Sequence, residues 1–101
     1  MRRHEGTATE TLSRVVHAID HPARRAIVDR LVDGEADVAE LADLVWDGFR
    51  LGQSSTSNHL RVLREADLVA VSVRYGERYC VLCPASLSEL MRWVSRCVGP
   101  V

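Results

Sequence analysis

The chain has 101 residues, of which 47% are hydrophobic and 27% charged. That is one domain's length with enough apolar residues for a modest core, and it excludes a disordered polyelectrolyte. Thirteen basic residues against 14 acidic ones leave a net charge of -1, so a uniformly basic nucleic-acid-coating protein is excluded as well. No stretch has the apolar core of a signal peptide or the length of a bilayer span, which points to the cytoplasm. Three cysteines cannot pair completely within one chain, which fits reduced thiols. The charge is unevenly placed. Residues 31–47 carry Asp33, Glu35, Asp37, Glu40, Asp43 and Asp47 and no base, whereas residues 48–79 carry Arg50, Arg61, Arg64, Arg74 and Arg78 against Glu65, Asp67 and Glu77.

Residues 1–7 are polar and are expected to be a disordered tail, ahead of one domain over residues 8–98. Beyond them Leu12, Val15, Val16 and Ile19 recur at the spacing of an amphipathic helix. Pro22 suits the first turn of a second helix, capped by His21, with Ile27, Val28 and Leu31 inward and Asp33-Gly34 as its stop. Asp37 followed by Glu40 has capping-box logic and opens a third helix through Val38, Leu41, Ala42, Leu44 and Val45. Trp46 to Gly52 reads as a turn in which Trp46 and Phe49 cover the core and Arg50 reaches for a phosphate. A fourth helix runs from Gln53 to Ala66 and buries Leu60 and Leu63.

After Asp67 the period changes. Val69, Val71 and Val73 alternate with Ala70, Ser72 and Arg74 as a half-buried strand; Tyr75-Gly76-Glu77 turns, and Tyr79 to Cys83 returns until Pro84. Ser86 with Glu89 repeats the capping-box pattern ahead of a last helix, where Leu87, Leu90, Met91, Val94, Cys97 and Val98 form one apolar stripe. The order is mainly α with a small β-hairpin, α-α-α-α-β-β-α, which is the plan of a winged helix-turn-helix. The first and last helices keep apolar stripes to bury against each other or against a second copy.

The segments HPARRAIVDRLVDGE from His21 and LGQSSTSNHLRVLREADLVAV from Leu51, with the hairpin RYGERYCVL, resemble the ArsR/SmtB family of small transcriptional repressors over residues 12–95. The resemblance implies a homodimer that sits on a palindromic operator in double-stranded DNA, represses transcription and is released by an effector, often a metal ion. It implies dimerisation through the first and last helices, by Leu12, Val15, Val16, Ile19, Leu87, Leu90, Met91, Val94 and Val98. It makes the fourth helix the recognition helix, whose N-terminal residues enter the major groove: Gln53, Ser54, Ser55, Thr56, Ser57, Asn58 and Arg61. The chemistry suits that task, since Asn and Gln pair bidentately with adenine, Arg with guanine, and Ser or Thr with several acceptors. The plainer reading of the same stretch is a Ser-rich helix start that caps itself. His59 either touches a phosphate or packs. Arg74 and Arg78 flank the wing tip, where phosphate or minor-groove contacts belong, unless the hairpin is simply solvated. Arg24 and Arg25 read as structural, bonded to backbone or to acids such as Asp29.

Two features depart from the family. The turn between the motif helices is about four residues longer than the usual short turn, and the extra segment either lengthens the third helix or makes a bulged loop. Asp67 stands where the family commonly has Gly and where a left-handed backbone is expected. Neither of the family's metal sites has its ligands: the third helix reads Glu40-Leu41-Ala42-Asp43-Leu44 without a thiol, and the last helix carries no histidine. A nickel or zinc effector would have to draw on His4, His17 and His21, or on Cys80, Cys83 and Cys97. Cys80 and Cys83 stand on a strand at positions that face opposite ways, and Cys97 reads as a small buried hydrophobe. No nucleophile–base pair, phosphate-cradling glycine loop or HExxH motif suggests an enzyme. The competing reading is a winged-helix module or co-regulator acting with a partner protein rather than reading DNA alone, favoured by the net charge and the acidic 31–47 stretch.

Overall fold

The computed structural model describes residues 7–99, with Gln53 described by its backbone alone; His4 and the expected tail up to Gly6 lie outside the described residues. Helix α1 spans Ala8–Ile19 and starts at a full capping box. Thr7 Oγ1 accepts the Glu10 N–H at 3.1 Å, and Glu10 Oε1 accepts the Thr7 N–H at 2.7 Å. Thr7 is therefore part of the helix start rather than of a tail. Helix α2 spans Pro22–Val32, with Pro22 in its first turn and His21 as cap, Nδ1 accepting the Ala23 N–H at 3.0 Å. Strand β1, Ala36–Asp37, leads straight into helix α3, Val38–Phe49, where Asp37 accepts the Glu40 N–H at 2.7 Å. Helix α4 is Gln53–Glu65, strands β2 and β3 are Val69–Arg74 and Glu77–Leu82, and a 3-10 turn over Pro84–Ser86 leads into helix α5, Leu87–Val98.

The expected order is thus present with two additions, β1 and the 3-10 turn. The sheet is antiparallel in the order β1-β3-β2, with Ala36 opposite Cys80 and Val71 opposite Cys80 from the other side. The hairpin turns on Tyr75 and Gly76, both at positive φ (52° and 79°), the geometry of a type I′ turn whose twist matches the strands. Asp67 takes the expected left-handed backbone, φ 59°. The long stretch from Trp46 lengthens α3 by one turn to Phe49, leaving only Arg50 to Gly52 between the motif helices.

The core is built from every helix but α5: Val15 and Ala18, Ile27 and Leu31, Leu41 and Val45, Leu60 and Leu63, with Leu68, Val69 and Cys80 from the sheet side. Four expectations fail here. Val15 is fully buried within its own protomer, so it packs the core and offers nothing to a dimer contact. Trp46 does not cover the core; on the added turn of α3 it points outward, 51% exposed, with the Arg50 guanidinium 5.7 Å above its ring. Cys97 is exposed rather than buried, because α5 buries no residue fully. Ser86 makes no capping bond, since the 3-10 turn before α5 already carries the chain into helical geometry; Glu89 pairs instead with Arg92 at 3.2 Å.

Helices α1 and α5 pack on each other, with Leu87 and Leu90 leaning on the protomer's own core. Val16, Met91, Val94 and Val98 stay outside, Met91 at 70% and Val98 at 66% exposure.

Candidate nucleic-acid interface

Helix α4 has two faces. Thr56, His59, Leu60 and Leu63 follow the three-and-four spacing and turn inward, Thr56 at 1% and His59 at 6% exposure. Ser54, Ser57, Asn58 and Arg61 turn outward, and Ser55 is half-buried. Thr56 is thus corrected from a DNA contact to a core position, and His59 packs rather than reaching a phosphate: a hydroxyl and an imidazole are tolerated there because each has a partner. Thr56 Oγ1 donates to the Gly52 carbonyl at 3.4 Å, and His59 Nδ1 lies 3.2 Å from Arg24 Nη1. The signal was in the sequence, since Thr56 stands four residues before Leu60 and seven before Leu63. Gly52 at the N-cap has no side chain to offer, so the positive end of the helix dipole is turned toward whatever docks there.

On the outward edge Arg61 is held in place by its own helix. Nη2 donates to Asn58 Oδ1 at 2.5 Å and Nη1 to Glu65 at 3.2 Å, so Asn58 and Arg61 form one hydrogen-bonded polar unit. All of this is exposed, and such a surface pair is worth about 1 kcal/mol or less, small enough to be exchanged for a base edge.

The wing differs from expectation in which arginine is free to reach outward. Arg74 is folded back: it pairs with Glu35, just ahead of β1, and stacks over Tyr79 with 4.2 Å from guanidinium to ring centroid. Arg78 is exposed and faces Val73 across the hairpin. With Glu77 it borders a cleft whose other wall carries Asp37, Ala42 and Ser57, so the hairpin and α4 flank one groove. Arg50, the left-handed C-cap of α3 at φ 56°, is exposed beside that helix start.

Arg24 and Arg25 prove structural, and their partners are backbone carbonyls rather than Asp29. Arg24 Nε donates to Ala18 O at 2.7 Å and Nη2 to His17 O at 3.1 Å, while Arg25 Nη1 donates to Ile19 O at 2.7 Å. Two cations thus satisfy the last carbonyls of α1, where its dipole is negative.

Burial, then the neighbouring His21, then Arg24 push the His59 imidazole below its ordinary value. Burial raises the Cys80 thiol, outweighing the opposing pull of Arg78 and Arg64, so Cys80 is a protonated, inert core residue. Among the described residues no three of His, Cys, Asp and Glu come together as a metal-binding group. His21 commits Nδ1 to its own helix cap, His17 is exposed on α1, and Cys80, Cys83 and Cys97 are buried, half-buried and exposed in turn.

Residues 19–72, from the end of α1 into β2, match the family model described as a helix-turn-helix domain. The transcriptional repressor SdpR of Bacillus subtilis (strain 168) is 26% identical over 83 residues, which is 82% of this chain and 88% of SdpR. Among solved structures, a "possible transcriptional regulator for arsenical resistance" superposes with a TM-score of 0.70 at 33% identity, over 84% of both chains. An ArsR family transcriptional regulator superposes with a TM-score of 0.77 at 25% identity, over 87% of both chains. With two motif helices, an outward polar edge on the second and a hairpin wing beside it, the chain belongs to the helix-turn-helix domain family, as a DNA-binding winged helix-turn-helix transcriptional regulator of the ArsR/SmtB type.

Proposed function

We propose that the chain is a cytoplasmic repressor that binds a palindromic operator as a homodimer, with residues 8–98 as one DNA-binding domain. The observation that carries this reading is the outward edge of α4, where Ser54, Ser57, Asn58 and Arg61 stand exposed on a helix whose opposite side is locked into the core. Asn58 and Arg61 read base edges, Arg78 and Arg50 contact phosphate, and the side chain of Gln53 at the helix start joins the readout. Ser55, half-buried, contributes from the margin, and Arg74 braces the wing and reaches phosphate only by releasing Glu35.

The exposed apolar strip of Val16, Met91, Val94 and Val98, flanked by Leu12, Ile19, Leu87 and Leu90, supports dimerisation through α1 and α5. A two-fold axis there would set the two α4 edges in successive major grooves, about 34 Å apart. We assign no metal effector, because the donors that nickel or zinc would need do not converge among the described residues.

The test is a mobility shift with DNA from upstream of the chain's own gene, titrated in salt. Affinity should fall steeply between about 50 and 200 mM salt as condensed counterions are released. Absence of binding at the lowest salt overturns the proposal and returns the chain to the protein-interaction reading.

A further inference from the structure

Where the start of α2 meets the buried side of α4, three side chains form a cluster that DNA contact does not explain. Arg24 is 8% exposed, and each of its three guanidinium nitrogens has a partner: the carbonyls of Ala18 and His17, and His59 Nδ1 at 3.2 Å. A guanidinium can only donate, so Nδ1 of His59 accepts and the neutral ring carries its proton on Nε2. The His21 ring lies against it, centroids 4.4 Å apart, and its own Nδ1 accepts the Ala23 N–H at 3.0 Å. Two touching imidazoles therefore each hold Nδ1 against a donor that cannot give up its proton.

We propose that His21, Arg24 and His59 form a proton-sensitive latch that holds α4 in its DNA-reading pose, so that mild acidification releases DNA. The inference rests on the reading of α4 as the recognition helix. A proton on His59 Nδ1 would set N–H against N–H at Arg24 and add charge beside a fixed cation in a buried site. Arg24 cannot yield, because it closes the end of α1; the His59 ring must move, and it stands between Asn58 and Arg61 in sequence. Burial, His21 and Arg24 all oppose the charge. Arg14 and His17 of α1 line the adjoining cleft with Arg61 and Glu65 of α4. Because the folded ring binds a proton less readily than a released one, the hold is complete above about pH 6.5 and is lost as pH falls below it.

Simple charge predicts the opposite sign, since acid makes any protein more positive and DNA binding tighter. The test uses the full chain and a duplex selected from a random-sequence library at about pH 7.5, with affinity measured at constant salt down to about pH 5.5. Wild type should weaken by up to about tenfold, the limit for one released site with a value near 6.5. His59→Asn keeps an acceptor near the position of Nδ1 and takes up no proton, so its affinity should not fall across that range. Wild-type affinity that stays level or rises on acidification overturns the latch. In the free protein, nitrogen NMR of the imidazoles should find both Nδ1 atoms unprotonated at neutral pH, with backbone amides of residues 54–61 shifting as His59 titrates. A protonated Nδ1 at neutral pH, or an α4 indifferent to His59, overturns the latch whether or not DNA binds. Failure to select any duplex defeats the DNA-binding reading instead, and the imidazole spectra still decide the latch.

Discussion

The terminal helices and the central trio treat apolar surface in opposite ways. Helices α2, α3 and α4 close over Ile27, Leu41, Val45 and Leu63, all fully buried, and the α4 edge they leave outside is polar. Helix α1 contributes Val15 and Ala18 to that core and α5 no fully buried residue, and together they leave Val16, Met91, Val94 and Val98 in solvent. The central unit is complete as a protomer and suits a polar, charged partner. The terminal pair is incomplete and suits a second copy of itself, which is how a small domain compensates for an unfavourable surface-to-volume ratio.

Breaking the terminal pair should have the largest effect. Val94→Asp places a charge in the apolar strip and should lower operator affinity by about a hundredfold or more through loss of the dimer. Circular dichroism should show the protomer still folded, since Val94 lies outside the buried core; sedimentation reads the dissociation. Breaking the central unit acts through the fold instead: Ile27→Ala should cost about 2–5 kcal/mol in denaturant unfolding, and a loss under about 1 kcal/mol would contradict its place in the core.

The polar edge should divide by chemistry. Arg61→Ala should cost about 1–3 kcal/mol on the preferred sequence and blur discrimination at one base pair, whereas Arg78→Ala should weaken all sequences alike and reduce the salt slope by about one. Equal effects of the two on discrimination would undo the division between helix and wing. The smallest effect concerns the wing tip. Tyr75 is fully exposed at φ 52°, where a type I′ turn prefers Asn or Gly. Tyr75→Asn should raise stability by up to about 1 kcal/mol, seen as a modest rise in melting temperature.

Much of this was legible because it is local. Pro22, His21 and Asp37 announce helix starts, Tyr75-Gly76 announces the hairpin, and Leu60 with Leu63 gives the inward face of α4. What escaped depends on partners distant in sequence or on polar residues taking apolar positions. β1 is two residues long and exists only because β3 returns beside it. Arg24 shares a helix face with Ile27 and Leu31, and its burial there is explained by the α1 carbonyls and by His59 Nδ1, all distant in sequence. By residue type Thr56 belongs with the polar edge and His59 could go either way, yet their spacing from Leu63 places both inside. Of the two forms open to the longer stretch, the lengthened helix is the one present, and it turns Trp46 away from the core that a loop would fold over.

Sedimentation of the full chain at micromolar concentration, alone and with the selected duplex, tests the central claim most directly. A free species of twice the chain mass, loading two protomers onto one duplex, is the expected result. A stably folded single chain that binds the duplex one to one, with Met91, Val94 and Val98 still in solvent, would contradict it.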